Sequence, residues 1–200
     1  PYSFQQFYIG HAPVFAQRLS FTGEMGWEIF ITPDFAEYVF EQLYQAGQAY
    51  DLRLAGGEAL NALRIEKGFV HWGSDMAYTE SPHQIGLDFA CRVDKDIAFT
   101  GKGAYLARRA EAKGTFLCSI KLQQPDAMLH HNEPVLRDGA IVGFVTSGAF
   151  SAMQGSAIAL CLIEPPTGTS GGEALEKGDY SVLVEGRIIP AILQRKPFAR

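Results

Sequence analysis

The sequence lacks the features of three broad classes of protein. Its three cysteines are few, widely spaced and odd in number, which argues against a disulfide framework and favours a reducing compartment, with the cytoplasm as the expected location. No apolar run approaches the roughly 18 residues that a membrane-spanning helix needs. No basic block interleaved with aromatic residues occurs, and acids outnumber bases by 22 to 17. We therefore expect neither a membrane nor a nucleic acid as a partner.

Common catalytic and metal-binding motifs are also missing. There is no Gly-x-x-x-x-Gly-Lys-Ser/Thr loop and no Gly-x-Gly-x-x-Gly after a strand. The adjacent His130 and His131 would point to opposite faces of a strand, so they form a poor chelate and we expect no metal site. The sequence contains no self-contained catalytic set, and we predict no catalytic residue within it.

The patterns that are present divide the chain into two parts. Apolar residues make up 47% and charged residues 20%, as in an ordinary globular protein. Helical and strand patterns are mixed up to residue 113, whereas short β runs separated by turns follow from residue 114. We predict an α+β fold in two domains: 1–113, an α/β segment, and 114–200, a small antiparallel β-barrel.

The first domain is predicted to open with a β-hairpin. Two β-rich runs, 14–21 and 27–31, flank Gly23-Glu24-Met25-Gly26, which favours a four-residue loop. Thr32 and Pro33 then supply a hydroxyl cap and a first helical position. Apolar spacing predicts the remaining elements, which are helices over 33–47, 58–67 and 100–114 and a strand over 85–93.

The second domain is predicted to consist of strands. Residues 116–122 alternate between apolar and polar side chains, as in a half-buried strand. Asp138-Gly139 between two β runs indicates a tight hairpin. Further β runs cover 144–145, 157–163, 180–184 and 188–193, with glycine-rich turns at 168–172 and 186.

The predicted hairpin contains the best candidate for a ligand site. With a four-residue loop, Thr22 pairs with Trp27, and Phe21 lies directly opposite Glu28. An aromatic face beside a carboxylate suits a flat heterocycle with an amidine-like edge, because the ring stacks while both carboxylate oxygens accept N–H bonds. The alternative is that Glu28 is a solvated strand residue, as most glutamates are.

Five segments, in chain order, resemble the glycine cleavage T-protein (aminomethyltransferase) family. They are Leu19–Ile29, Leu63–Gly68 with Trp72–Asp75, Pro82 with Gly86–Phe89, Phe99–Lys102 and Val142–Gly148. Each segment alone is a weak indication of the family, whereas five such segments in the same order are a specific one. The second segment is most similar to the folate-binding C-terminal portion of dimethylglycine and sarcosine dehydrogenases, so the chain resembles a C-terminal fragment.

The resemblance implies tetrahydrofolate-dependent transfer of a one-carbon unit. The family's pterin-holding glutamate matches Glu28 and its stacking aromatic matches Phe21, with Trp27 and Trp72 as further expected pocket residues. The implied partners are tetrahydrofolate and a small N-methyl or aminomethyl donor, with FAD only if an oxidase domain lies upstream. The family's catalytic aspartate belongs to the missing N-terminal half of the domain, so we expect this part to be inactive alone.

Three versions of this function stay open. Leu60 stands where the T-protein has an arginine, which favours the folate portion of an N-methylglycine dehydrogenase over a stand-alone aminomethyltransferase with a lipoyl partner. The third version is a non-catalytic folate-binding assembly module. Such relatives carry a Lys-Gly-Cys motif, whereas Phe69 follows Lys67-Gly68 here.

Five further residues invite structural interpretations. Arg64, Glu66 and Lys67 are interpreted as a helix-end salt network at the surface. Trp72 is either a pocket wall or a core residue. Asp75 follows Gly73-Ser74 and is interpreted as a turn acid rather than an acid catalyst.

Overall fold

The computed structural model describes residues 2–111, 113–169 and 175–198, and the chain forms two compact units, Pro1–Leu60 and Asn61–Arg200. The first contains a three-stranded sheet and a helix, and the second contains a closed barrel of six antiparallel strands. This mixed architecture confirms the predicted fold class. The predicted domain division after residue 113 stays a prediction. In the described part of the chain, no helix is long and apolar enough to cross a bilayer.

The first unit is a sheet covered by one helix. Strands β1 (Phe4–Ile9), β2 (Ala12–Gln17) and β3 (Glu28–Phe30) are antiparallel and lie in that order. Helix α1 (Ala36–Gly47) follows, and its Val39 packs with Ala12 and Val14 of β2. One face of the sheet is therefore buried under α1.

Helix α1 begins differently from the prediction. The side chain of Thr32 makes no capping hydrogen bond; instead its carbonyl accepts from the Phe35 N–H at 3.0 Å. Pro33–Phe35 form a single 3-10 turn before the α-helix, so the tighter hydrogen-bonding pattern satisfies this end of the helix.

The β2–β3 connection has ten residues, 18–27, rather than four, because the register pairs Gln17 with Glu28. In the loop, the Thr22 N–H donates to Ser20 Oγ at 3.2 Å. This local turn bonding competes with a strand ladder, which is why the predicted strand stops early. The register differs from the predicted one by four residues, an even number, so Glu28 keeps its predicted face.

The second unit combines two helices with the barrel. Helix α2 (Gly57–Glu66) begins in the first unit and continues into the second, and α3 (Lys102–Glu111) precedes the barrel. The barrel strands are β4 (Phe116–Leu122), β5 (Pro134–Arg137), β6 (Ala140–Ser151), β7 (Ser156–Ile163), β8 (Tyr180–Val184) and β9 (Arg187–Gln194). Their order is β4-β7-β6-β5-β8-β9, and pairing of β9 with β4 closes the barrel.

The barrel interior follows the predicted alternation of strand faces. Cys118 and Cys161 are directly opposite each other on β4 and β7 and are fully buried, as small apolar residues of the core. Asp138 and Gly139 have positive φ angles of 52° and 82°, which confirms the tight hairpin between β5 and β6. The predicted turn at 168–172 lies partly outside the described residues.

The strand predicted over 85–93 is wrong. This segment forms turns around a short 3-10 helix, Asp88–Ala90, because Gly86 has a φ of +76° that a strand does not accommodate. Asp88 accepts a hydrogen bond from the Tyr105 hydroxyl of α3. Burial and this bond raise the pKa of Tyr105 to about 12.

Helix α2 packs against the outer wall of the barrel. Ile65 is 2% exposed and packs with Ala149 of β6 and with Ile158 and Leu160 of β7. Strand β7 is thus buried along its whole length, with one face inside the barrel and the other against α2 and its neighbours.

Candidate functional site

Glu28 lies at the start of β3 with an exposed side chain. Gln17 Nε2, directly across the strand pair, donates to Glu28 Oε2 at 3.3 Å. The amide holds one side of the carboxylate, and the exposed carboxylate stays accessible to donors from a ligand. Gln17, rather than the predicted Phe21, is therefore the residue opposite Glu28.

The face of the sheet that carries Glu28 also carries three neighbouring aromatic rings. Phe4, Phe15 and Phe30 belong to β1, β2 and β3, and we call them the aromatic row. The ring centroids of Phe4 and Phe15 are 5.6 Å apart, and those of Phe15 and Phe30 are 5.9 Å apart. Opposite residues of an antiparallel pair share a face, so this row and Glu28 lie on the side away from α1.

A concavity of about 630 Å³ adjoins the aromatic row. Tyr8, Pro13, Phe15, Phe30 and Thr32 belong to its lining, all within the first unit. Its volume falls in the range that small-molecule sites occupy, and its wall is mainly apolar with a few polar groups. A concave surface thus lies on the sheet that carries Glu28.

The other predicted pocket residues lie elsewhere. Phe21 is half-buried within the β2–β3 loop, so the prediction that it lies opposite Glu28 is wrong. Trp27 precedes β3 and is 54% exposed. Trp72 is 63% exposed in the second unit, which excludes the core interpretation. Their roles as cofactor contacts stay predictions.

The residues at Glu28 fit the pteridine ring of a reduced folate. Such a ring has a flat face and an edge with adjacent N–H donors. A carboxylate with accessible oxygens accepts such donors in a bidentate way, and exposed phenyl rings offer stacking partners. The N–H donors and the flat face of the pteridine ring therefore match the carboxylate of Glu28 and the exposed phenyl rings.

A second polar cluster is fully buried in the second unit. Asp75 is 0% exposed and forms an ion pair with Arg64, which is 4% exposed. Thr146 Oγ1 of β6 donates to Asp75 Oδ1 at 2.6 Å, and the His71 N–H donates to Asp75 Oδ2 at 2.9 Å. Asp75 lies in a turn and its carboxylate bonds to the His71 backbone, in line with the turn-acid interpretation, and its burial and ion pair with Arg64 make it a buried structural acid as well.

The predicted surface salt network at the end of α2 is also wrong. Glu66 is buried and accepts a hydrogen bond from Ser151 of β6, while Asn61 Nδ2 donates to the Gly148 carbonyl at 3.3 Å. These partners are 85 and 87 residues away in the sequence, so no local spacing could reveal them. The family segment 142–148 contains one of the two barrel partners, Gly148, whereas Ser151 lies outside it.

Histidines and cysteines do not form a metal centre in the described ranges of the chain. No group of three or more His, Cys, Asp or Glu side chains there could hold an ion. His131 Nδ1 instead lies 2.7 Å from the Thr146 carbonyl.

Two family models match the chain in sequence order. The GCVT N-terminal domain matches residues 1–95, and the glycine cleavage T-protein C-terminal barrel domain matches residues 116–199. The chain belongs to the glycine cleavage T-protein family. The second match coincides with the closed barrel of this chain, which begins at Phe116.

Known relatives of this chain include oxidases and dehydrogenases. It is 37% identical to 4-methylaminobutanoate oxidase (formaldehyde-forming) of Paenarthrobacter nicotinovorans over 92% of its own length and 22% of the relative. It is 33% identical to mitochondrial dimethylglycine dehydrogenase of Rattus norvegicus over 94% of its length and 21% of the relative. The chain therefore spans about a fifth of these proteins.

A solved structure shares the fold. The glycine cleavage system aminomethyltransferase T from Bartonella henselae superimposes on this chain with a TM-score of 0.79 and is 22% identical in sequence. The superposition covers 98% of this chain and 52% of the Bartonella chain.

Proposed function

We propose that this chain is the folate-binding portion of an N-methylglycine (dimethylglycine or sarcosine) dehydrogenase or demethylase-like enzyme, and that it serves tetrahydrofolate-dependent one-carbon transfer. The observation that carries this proposal is the exposed carboxylate of Glu28 on the aromatic face of the sheet. Membership of the T-protein family supports tetrahydrofolate as the cofactor. The similarity to N-methyl amine oxidases and dehydrogenases supports an N-methyl amine as the one-carbon donor.

Glu28 orients the cofactor in this proposal. Its carboxylate accepts N–H bonds from the pteridine edge, while Gln17 fixes the carboxylate from the other side. Tetrahydrofolate, when bound, supplies the N5 nitrogen that accepts the one-carbon unit. Holding the ring in one orientation converts a chance encounter with the donor into a nearly unimolecular step.

Leu60 supports the dehydrogenase branch. It lies on α2, is 42% exposed and offers no cation for an anionic group. A stand-alone aminomethyltransferase, the alternative, would be expected to have an arginine at this position. The assembly-module alternative has no supporting feature in the segment 67–69.

Calorimetric titration with tetrahydrofolate tests the proposal in the full-length polypeptide that contains this chain. Glu28→Ala should weaken binding by about 2–3 kcal/mol, or roughly 30- to 140-fold, because charge-assisted hydrogen bonds are lost. Glu41→Ala removes an exposed acid from α1 of the same unit and serves as the control. Equal affinities for Glu28→Ala and the parent protein would contradict the proposed role.

A further inference from the structure

We propose that His83 is a pH-sensitive contact of the second unit. While its ring is neutral, the segment around it stays bound to the start of the barrel, and protonation of the ring releases that segment. We call residues 81–87, which contain His83, the docking segment. The inference does not depend on the proposed folate site, because every group that it uses belongs to the second unit.

The docking segment is attached to β4 through Gln84. The Gln84 carbonyl accepts from the Leu117 N–H at 2.7 Å, and Gln84 Nε2 donates to the Thr115 carbonyl at 3.0 Å. Within the segment, the Ser81 N–H donates to Gln84 Oε1 at 2.8 Å. The attachment thus depends on the residue next to His83.

The ring of His83 is enclosed at this attachment. It is 8% exposed, its Nδ1 lies 3.1 Å from Ser81 Oγ, and its edge meets the ring of Phe116 with the centroids 5.9 Å apart. Its Nε2 is buried and has no hydrogen-bond partner among the described residues. A neutral imidazole leaves one nitrogen unpaired there, whereas an imidazolium adds a second N–H donor and a charge. Burial of an unpaired charge costs far more, so the enclosure suits the neutral ring alone.

The charges around the ring do not compensate a proton on it. Asp88, on the same stretch of chain, already accepts the Tyr105 hydroxyl of α3. Arg109 of α3 and Arg195, which lies over the aromatic ring that His83 meets, are both cations. Burial lowers the pKa of His83 below its ordinary value of 6.5; Asp88 opposes this change and Arg109 adds to it.

The direction of the pH effect follows from this lowered pKa. The docked state keeps its full stability above pH 6.5, because the ring is neutral there whether docked or released. Below pH 6.5 the released ring binds a proton that the docked ring does not, so docking weakens as the pH falls. One proton changes the docking equilibrium by at most about tenfold between pH 7.5 and 5.5.

Hydrogen exchange of the full-length polypeptide that contains this chain tests the inference. Mass spectrometry at pH 7.5 and 5.5, corrected for intrinsic exchange rates, reports opening of residues 81–91 and 115–117. In the parent protein, the protection of these amides should fall by up to about tenfold at pH 5.5. In His83→Gln, whose side chain does not titrate, it should stay constant. An unchanged parent, or a His83→Gln variant that loses as much protection as the parent, would overturn the inference.

His130→Gln is the matched control. His130 is an exposed histidine of the same unit, and its replacement should leave the pH dependence of the parent protein in place.

A second measurement needs no variant and decides the matter if His83→Gln does not fold. Exchange of the imidazole C2 proton, followed by mass spectrometry across a pH series, gives the pKa of His83 in the parent protein. We expect a pKa below 6.5, and a value at or above 6.5 would also overturn the inference.

Discussion

At the scale of single residues, Arg64 and Asp75 depend on each other. Both side chains are withdrawn from water, and each charge is compensated by the other together with a hydrogen bond from Arg64 to Asn61 Oδ1 and hydrogen bonds to Asp75 from Thr146 and the His71 backbone. Removing charges from water costs several kcal/mol per ion, so such a pair adds little net stability while both partners are present. The loss of one partner is what destabilises the fold.

Asp75→Asn should lower the free energy of unfolding by about 3–5 kcal/mol, because Arg64 is then left charged and buried. The combined variant Arg64→Met with Asp75→Leu should lose less than Asp75→Asn, since neither charge remains. Urea unfolding of the 200-residue chain, followed by circular dichroism, measures both. Asp94→Asn breaks an exposed ion pair with Arg92 and should leave the midpoint unchanged. A double variant as unstable as Asp75→Asn would contradict this account.

At the scale of secondary-structure elements, β4 and β7 place two thiols side by side inside the barrel. Burial raises the pKa of Cys118 to about 12 and raises that of Cys161 as well. A thiol reacts as the thiolate, so a raised pKa keeps both groups protonated and unreactive at neutral pH. Cys91, outside the barrel strands, is half-buried.

Thiol labelling with an aromatic disulfide at pH 8 should therefore proceed in two phases. Cys91 should react first, and Cys118 and Cys161 should react only as the barrel opens, at a rate that increases with urea. Cys91→Ser should remove the fast phase and leave the slow one. Rapid labelling of all three thiols in the folded protein would show that the barrel opens more readily than its packing indicates.

Whether an element can be predicted from the sequence depends on whether the interactions that form it join residues close together in the chain. The helices and most of the barrel strands are predicted because alternation, apolar spacing and the Asp138-Gly139 turn act within a few residues, whereas residues 146–151 of β6 are not predicted as strand. The end of β2 is missed, since Ser20 and Thr22 stop the strand by local hydrogen bonds in a run that otherwise has β character. Glu28 is singled out both from the hairpin pattern and from its family segment, whereas Phe15 and Phe30 become its neighbours only through the register.

At the scale of the whole molecule, helix α2 contributes to the stability of the barrel, although it lies far from the barrel strands in the sequence. Ile65 covers Ala149, Ile158 and Leu160, and the side chains of Asn61 and Glu66 hydrogen-bond to β6. Without α2, these apolar residues of the outer wall would meet water. The predicted domain boundary after residue 113 would separate the barrel from α2, which covers its outer wall.

Two fragments test where an independent unit begins. Residues 56–200 should fold as a monomer with cooperative urea unfolding, whereas 114–200 should aggregate or unfold at lower urea, because its outer wall is apolar and uncovered. Size-exclusion chromatography and urea titration distinguish them. Ile158→Ser with Leu160→Ser in 114–200 should improve its solubility, and in 56–200 should reduce stability. Equal stability of the two unmodified fragments would instead support the division after residue 113.

The ten-residue loop between β2 and β3 lies outside the sheet, whereas Glu28 and the aromatic row lie on its strands. Its ends are fixed by the Gln17–Glu28 pair, and lengthening a flexible loop from four to ten residues costs only about 0.8 kcal/mol. Residues 19–27 lie outside the strands, so insertions among them should leave the pairing of Gln17 with Glu28 in place. Arg18 differs, because its backbone hydrogen bonds with Tyr2 and Ser3 hold the end of β2 against the start of the chain.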